Sequence, residues 1–414
     1  MEKITCVKAR EVLDSRGNPT VECELCAKAL CASAMVPSGA STGTHEALEL
    51  RDGGKRFHGK GVLKAVENVN KTIALALKGK NADLRDVDAV LLQLDPTPNK
   101  SKLGANALLS ASMAASRLDA AQHSIPLHLY FAKLAGTKPR VPCPASNLIN
   151  GGAHAGNELA FQEYLVLPVG AKSFSEAVQI VCEAYGEVKA SLAKTYGKSA
   201  TNVGDEGGFA PPLRDAEAPL EIISAALEEA GWAGKAKLGL DSAATQFYDG
   251  KHYALHKKLT GAELADYYLR LGEKYRFAYL EDPFAEEDFD SFALLTKKAK
   301  FDVVGDDLLV TNKTRIVEGI TRRACNTLLV KPNQVGTVTE AMEAALTARA
   351  AGWKFCVSHR SGETEDAFIA DFATGLAAEY IKLGAPCRSE RTAKYNQLLR
   401  LNEAIEGYSG GRKP

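Results

Sequence analysis

The sequence predicts a two-part α/β chain: a modified (β/α)8 barrel at the C-terminal end, behind a smaller N-terminal α+β domain. Three observations carry that reading. First, between residues 237 and 384, six apolar runs each stop on an ionisable residue and each precedes a helix-like stretch. The runs are KLGL into Asp241, FAYL into Glu281, DVVG into Asp306, TLLV into Lys331, KFCVS into His359 and YI into Lys382. By subtraction of their numbers the stops lie 40, 25, 25, 28 and 23 residues apart, about one strand, one helix and two loops. Polar residues at the C-terminal ends of barrel strands are where such a fold builds an active site. Second, residues 134–144 (LAGTKPRVPCP) are rich in Pro and Gly, which places a boundary near residue 138. Third, the 414-residue length leaves 138–414 for a barrel, typically roughly 250 residues, and 1–137 for a capping domain.

The elements follow in order. Residues 1 to about 60 read as strands and loops, with KITCVKAREVLD and TVECELCAKAL ahead of a small-residue loop, PSGASTG. Helical patterns span 59–79 and 104–122. The second carries small residues at helical spacing, which suits close packing. Beyond the boundary, PCPASNLINGG, AFQEYLVLP and a long helical stretch over 173–196 are less regular than the six later units. The barrel is therefore expected to open with a departure from strict βα alternation.

Composition excludes several classes. A hydrophobic fraction of 45% and a charged fraction of 25% are ordinary for a globular chain. Lys+Arg and Asp+Glu are 51 each, so no net field favours nucleic acid or an anionic membrane. No apolar run approaches the roughly 18 residues of a membrane span. The opening MEKITCVKAR lacks the apolar core of a signal peptide, which implies a cytoplasmic protein. Nine scattered cysteines are then expected to be reduced thiols. Cys23 and Cys26 form a CxxC, but on a strand they point to opposite faces and read as packing residues.

Chemistry concentrates at the six stops. Asp241, Glu281 and Asp306 end three successive strands, so their carboxylates can converge at the barrel mouth. Either aspartate alone could cap the following helix. All three in register, with no cysteine beside them, favour Mg²⁺ or Mn²⁺. Lys331 ends the next strand, where desolvation and a neighbouring cation can lower its pKa and make it a base. Lys382 faces inward two strands on, and His359, Arg360 and Ser361 form a candidate phosphate clamp. Upstream, Glu163 (FQEY) and Glu206 (VGDEGGF) sit among polar or glycine neighbours and could supply an acid. The loops 38–43 and 151–156 have the small-residue content of lids.

Taken together, these residues resemble the enolase family, the phosphopyruvate hydratases of glycolysis. The resemblance spans nearly the whole chain through EVLDSRGNPT, VPSGASTG, LINGGAHAGN, VGDEGGFAPP, YLEDPF, VGDDLLVTN, VKPNQVGT, SHRSGETED and IKLGAPCRSERTAKYNQLLR. It implies that the chain has the family's fold, an enolase-type modified TIM barrel with an N-terminal α+β domain. It also implies that Asp241, Glu281 and Asp306 hold one Mg²⁺, and that a second Mg²⁺ binds with substrate, helped by Ser41. Lys331 would take the C2 proton of 2-phosphoglycerate, and Glu206, supported by Glu163, would protonate the departing C3 hydroxyl. Lys382 would bind the carboxylate end, with Glu281 and Asp306 reaching it through the metal. Arg360 and Ser361 would hold the phosphate, His154 and His359 would close over the substrate, and Gln162 would line the site. A homodimer or larger homo-oligomer is implied, with no nucleic-acid partner. The chain departs from the family at Asp95-Pro96-Thr97, where Asp-Gly-Thr is usual, and at Tyr164, which adds a hydroxyl near the acids. Rival readings are another metal-dependent lyase or racemase of the same superfamily, or a surface-binding or structural role.

Overall fold

Eight strands, short and largely apolar runs buried along nearly their whole length, close on themselves in the computed structural model. It describes residues 2–40, 43–152, 155–405 and 407–410. Ahead of the barrel, β1 (Ile4–Leu13), β2 (Pro19–Ala27) and β3 (Leu30–Met35) form an antiparallel sheet. The run 20–30 ends its strand at Ala27, turns, and starts β3 at Leu30. Lys28, with φ of 49°, turns the chain without the Gly, Asn or Asp that signals a hairpin. Helix α1 (Leu63–Glu67) continues through a π-helical turn into α2 (Ala74–Leu77), and α4 (Ala105–Gln122) occupies the second expected helix. Two helices lie outside the expected set, α3 (Leu84–Leu94) and α5 (Leu127–Ala135). In α3, Asp83 caps the N-terminus by accepting from the Asp86 N–H, and Leu84, Val87, Asp88 and Leu91 turn inward.

The barrel opens with β4 (Cys143–Asn150) and β5 (Glu163–Leu167), followed by α6 (Phe174–Tyr196), α7 (Ala218–Glu229) and β6 (Lys237–Asp241). β5 runs antiparallel to both β4 and β6, the expected departure from alternation. A small hairpin, β7 (Tyr253–Ala254) and β8 (Lys258–Leu259), precedes α8 (Gly261–Lys274). Regular units follow: β9 (Phe277–Glu281), α9 (Phe289–Lys298), β10 (Asp302–Gly305), α10 (Lys313–Arg322), β11 (Thr327–Val330) and α11 (Val338–Ala350). The last are β12 (Lys354–Ser358), α12 (Phe368–Gly375), β13 (Tyr380–Lys382) and α13 (Ser389–Ala404). Parallel pairing of β13 with β4 closes the ring, whose order is β10-β11-β12-β13-β4-β5-β6-β9. The interior is a small apolar cluster that includes Ala145, Leu165, Leu167, Val304 and Leu329, so the barrel is filled below its mouth. Among the described residues no helix is long and apolar enough to cross a membrane.

The small domain is joined to the barrel through α4, whose Ala and Ser residues are almost all buried and let β2, β3 and α11 approach closely. Phe131 of α5 meets Phe368 and Phe372 of α12 edge to face, with centroids 5.6 and 5.1 Å apart. A methyl group at Gly375 would come within 2.5 Å of the His128 carbonyl oxygen, so this crossing needs glycine. Polar ties complete the join. Arg117 donates to both oxygens of Asp366, at 2.5 and 2.8 Å, and the Met35 N–H donates to the same carboxylate at 3.0 Å. One expectation about the small domain fails: Cys26 and Cys31 form a disulfide rather than two thiols. Register brings them together, because the β2–β3 hairpin sets Cys26 directly opposite Cys31.

Burial raises the Asp366 carboxyl but the Arg117 guanidinium more than offsets it, so its pKa lies below the ordinary 3.8. A depressed folded-state value contributes stability above the unfolded value and loses it as pH falls through the folded one. We expect Asp366→Asn to lower unfolding stability by about 2 kcal/mol at neutral pH. The gap between the thermal melts of the two proteins should begin to narrow below about pH 4 and close as pH falls through the folded-state value; a gap that does not narrow with falling pH would contradict the ion-pair account.

Candidate active site

All six strand-end residues arrive at one mouth of the barrel. Asp241, Glu281 and Lys382 are the last residues of β6, β9 and β13, while Asp306, Lys331 and His359 stand one past β10, β11 and β12. A cavity is lined by Asp241, Asp306, Lys331, His359 and Lys382 together with Gln162, Glu163, Glu206, Arg360 and Ser361. Glu281 is fully buried beneath it. Ser41 and His154 lie outside the described residues. Beyond the loop 38–43, Glu286 accepts from the Thr44 N–H and hydroxyl, and Glu287 stands 2.6 Å from His45.

Charge dictates the pairing inside. The Lys382 ammonium donates to Asp241 and Glu281 at 2.8 Å each and stands 3.1 Å from Glu163. Glu281 also accepts from the Tyr279 hydroxyl at 2.6 Å, and Asp241 from the Gln162 amide at 3.2 Å. Lys331 donates to Asp306 at 2.5 Å, and the Gln334 amide donates to the other Asp306 oxygen at 2.9 Å. Burial lowers the Lys331 pKa, but the Asp306 charge outweighs it and the net direction is upward. This is opposite to the lowered value expected beside a cation, because Asp306 here pairs with the lysine itself.

Negative charge is in surplus. Burial and then Asp241 push Glu281 up to about 8, and burial and then Asp306 push Asp307 up to about 8. Asp282 and Asp307 belong to the site although sequence reasoning passed over them. One oxygen each of Asp282, Asp306 and Asp307 lies within 4.8 Å of the others. Asp282 also accepts from the Asp306 and Asp307 N–H groups, both at 2.8 Å, and holds a left-handed φ of 40° to do so. Their sequence trace was only the acidic pairs in YLEDPF and VGDDLLV. A crowd of hard oxygen donors, in which burial and then neighbouring charge push Asp282 and Asp307 toward protonation while Lys331 holds Asp306 low, suits a hard divalent cation.

Across the mouth are the acids. Burial, and then the neighbouring Glu206, hold Glu163 well above the usual carboxyl range, which favours its protonated form. Glu206 sits on the turn 204–208, where Gly207 has φ of 84° and its Cβ would meet the Cys387 carbonyl at 2.9 Å. Tyr164 differs from expectation. Strand alternation turns its ring to the helix layer beside Phe161, away from the acids, and its hydroxyl has no hydrogen-bond partner among the described residues.

His359 and Arg391 organise the remaining wall. Arg391 is fully buried and donates to the carbonyls of Asp205, Arg360 and Ser361 and to His359 Nδ1, at 2.6 to 3.0 Å. A guanidinium only donates, so Nδ1 accepts and the imidazole proton sits on Nε2. That Nε2 is buried, 3.6 Å from Glu206, without a hydrogen-bond partner among the described residues. Nothing local in CRSERTAK marked Arg391, since its role arises only when α13 meets two distant loops. The Arg360 fork meets Glu46 of the small domain at 3.0 and 3.1 Å.

The fold and this site define a class, a barrel enzyme with a cation-hungry carboxylate cluster between a lysine and a buried acid pair. Comparison with known proteins sharpens it. Residues 4–131 match the N-terminal domain of enolase, and 138–411 match the enolase C-terminal TIM barrel domain. The enolase of Thermococcus gammatolerans is 53% identical, over 99% of this chain and 97% of its own. Those of Methanocaldococcus jannaschii (97% of this chain, 96% of its own) and Solanum lycopersicum (100% and 99%) are 52% and 49% identical. The chain belongs to the enolase family and is a lyase.

Burial lowers the His359 pKa well below its ordinary 6.5, against the opposing pull of Glu206. A long-range ¹H–¹⁵N spectrum should therefore show His359 neutral, with its proton on Nε2, from pH 8 down to pH 5. A ring that charges within that window would overturn the assignment.

Proposed function

We propose that the chain is a phosphopyruvate hydratase, which reversibly dehydrates 2-phospho-D-glycerate to phosphoenolpyruvate in a Mg²⁺-dependent reaction of glycolysis and gluconeogenesis. Asp241, Glu281 and Asp306 would hold one Mg²⁺, and Ser41 would help hold a second that enters with substrate. Ions so held would supply positive charge to the substrate carboxylate as it gains electron density. Lys331 is the base at C2. Glu206, with Glu163 behind it, delivers a proton to the C3 hydroxyl.

The single observation that best supports this division is the strand order. On a ring of eight strands, β5 stands four places from β11, so Glu163 faces Lys331 across the mouth. A proton can then leave one side of the substrate while the hydroxyl is protonated on the other. Lys331 is held charged by Asp306, and a cation taken up by Asp306 would remove that partner and make the neutral lysine accessible. Lys382 would bind the carboxylate end and balance the buried acids. Arg360 and Ser361 would take the phosphate when Glu46 yields the guanidinium. His359 Nε2–H and His154 would close over the substrate, and Gln162 would orient Asp241.

With Mg²⁺ the purified chain should form phosphoenolpyruvate, seen as rising ultraviolet absorbance, and EDTA should abolish the signal. Lys331→Ala should lose both turnover and exchange of the C2 proton by about 10³-fold or more. Glu206→Gln should retain exchange while losing dehydration by about 10²-fold or more. Equal loss of both in Glu206→Gln would sink the separation of base and acid. We extend the proposal to a cytoplasmic homodimer or larger homo-oligomer, and a monomer mass by light scattering would refute the assembly.

A further inference from the structure

We propose that the outer face of the small-domain sheet is a thiol–disulfide exchange site. There Cys6, Cys26 and Cys31 share one disulfide that can occupy either of two positions and reacts with low-molecular-weight thiols. The strand register carries the argument. Cys26 on the central strand stands opposite Cys6 on β1 and opposite Cys31 on β3, so three sulfurs form one row across the sheet. Cys26 and Cys31 are bonded, while Cys6 is an exposed free thiol. Cys23, the other cysteine of β2, is buried on the opposite face, where burial pushes its thiol far up, and it takes no part.

A β-bulge brings the third sulfur to the row. The β1–β2 register shifts between Ile4 and Cys6, so Thr5 is an extra residue. Ile4 points into the core and is fully buried. In strict alternation Cys6, two residues on, would follow it inward; the bulge turns it outward onto the face of Cys26. The Cα atoms of Cys26 and Cys31 are 4.1 Å apart, the close spacing of a non-hydrogen-bonded pair. The backbone groups of Cys26 therefore turn toward β1, and a hydrogen-bonded Cys6–Cys26 pair spans about 5.5 Å between Cα atoms. That separation is within the range a disulfide bridges.

The exchange balances without an oxidant. The Cys6 thiolate attacks the Cys26 sulfur from the side away from Cys31, a Cys6–Cys26 bond forms, and the Cys26–Cys31 bond breaks. Cys31 leaves as a thiolate and takes a proton. Full reduction consumes two external thiols: the first forms a mixed disulfide at exposed Cys31, and the second releases it as the external disulfide. None of the three cysteines lines the catalytic cavity.

The test uses the full chain in buffers of reduced and oxidised glutathione, quenched in acid, alkylated and digested with trypsin. Cleavage after Lys8 and Lys28 separates the three cysteines into different peptides. Mass spectrometry of the wild type should find Cys26–Cys31 as the main link and Cys6–Cys26 as a minor one. In Cys31→Ser the Cys6–Cys26 link should rise at least fivefold, with an unchanged melting temperature reporting an intact fold. If Cys31→Ser carries only glutathione on Cys26, in buffers that oxidise the wild type, the row does not exchange. A wild type with all three thiols free in every buffer would equally overturn the proposal.

Discussion

The ammonium of Lys382, held among Asp241, Glu281 and Glu163 with no more than 3% of any of these residues exposed, is the interaction on which the barrel mouth depends. Burying one unpaired carboxylate costs several kcal/mol, and this mouth buries a crowd of them. β6, β9 and β13 each end on a member of the cluster, and antiparallel β5 begins on the fourth. Closing the ring therefore forces like charges together, and a cation at its centre makes closure tolerable. A second lysine, Lys331, does the same for Asp306. Burial, and then the repulsion that remains, hold the carboxyl groups of Glu281, Asp307 and Glu163 above their ordinary range.

The small domain completes the mouth rather than merely lying beside it. Glu46 takes the Arg360 fork, Thr44 and His45 reach the acidic loop after β9, and the Ser38 N–H donates to the Gly362 carbonyl. Further back, small residues on α4 and the Arg117–Asp366 pair hold the domain at a fixed height over the barrel. A substrate anion competing for Arg360 would thus act on both domains at once. The same guanidinium chemistry appears in Arg391, which uses its donors wholly on structure. It ties the Glu206 turn to the 359–361 loop and selects the tautomer of His359.

How far the site was legible varies by residue. The metal-type carboxylates and both lysines could be read because each ends an apolar run, and strand ends gather at one face of a barrel. Glu163 could be singled out by its neighbours but not placed. It starts a strand instead of ending one, and only the reversed direction of β5 brings it to the mouth. Tyr164 was read as near the acids because it adjoins Glu163, yet alternation sends adjacent strand residues to opposite faces. Asp282 and Asp307 were hidden by their neighbours, since only the fold distinguishes the two acids of each pair. The Cys26–Cys31 bond escaped because composition suggested reduced thiols, whereas a hairpin turn at Lys28 carries no sequence signal.

The sequence by itself determined the repeating units, the order of residue types at their ends and the family to which they belong. These are local properties, set by hydrophobic period and chain spacing. Tertiary structure alone decided which charges pair, that Lys331 faces Glu163 across the ring, and that Arg391 and Glu46 brace the site. It also decided that Cys6 shares a face with Cys26, through one extra residue in β1. Each of these depends on groups far apart in sequence being brought within a few ångströms. Coulombic and hydrogen-bond energies become large only when the groups are brought into contact out of water, so they are settled only by closure of the barrel and the register of its strands.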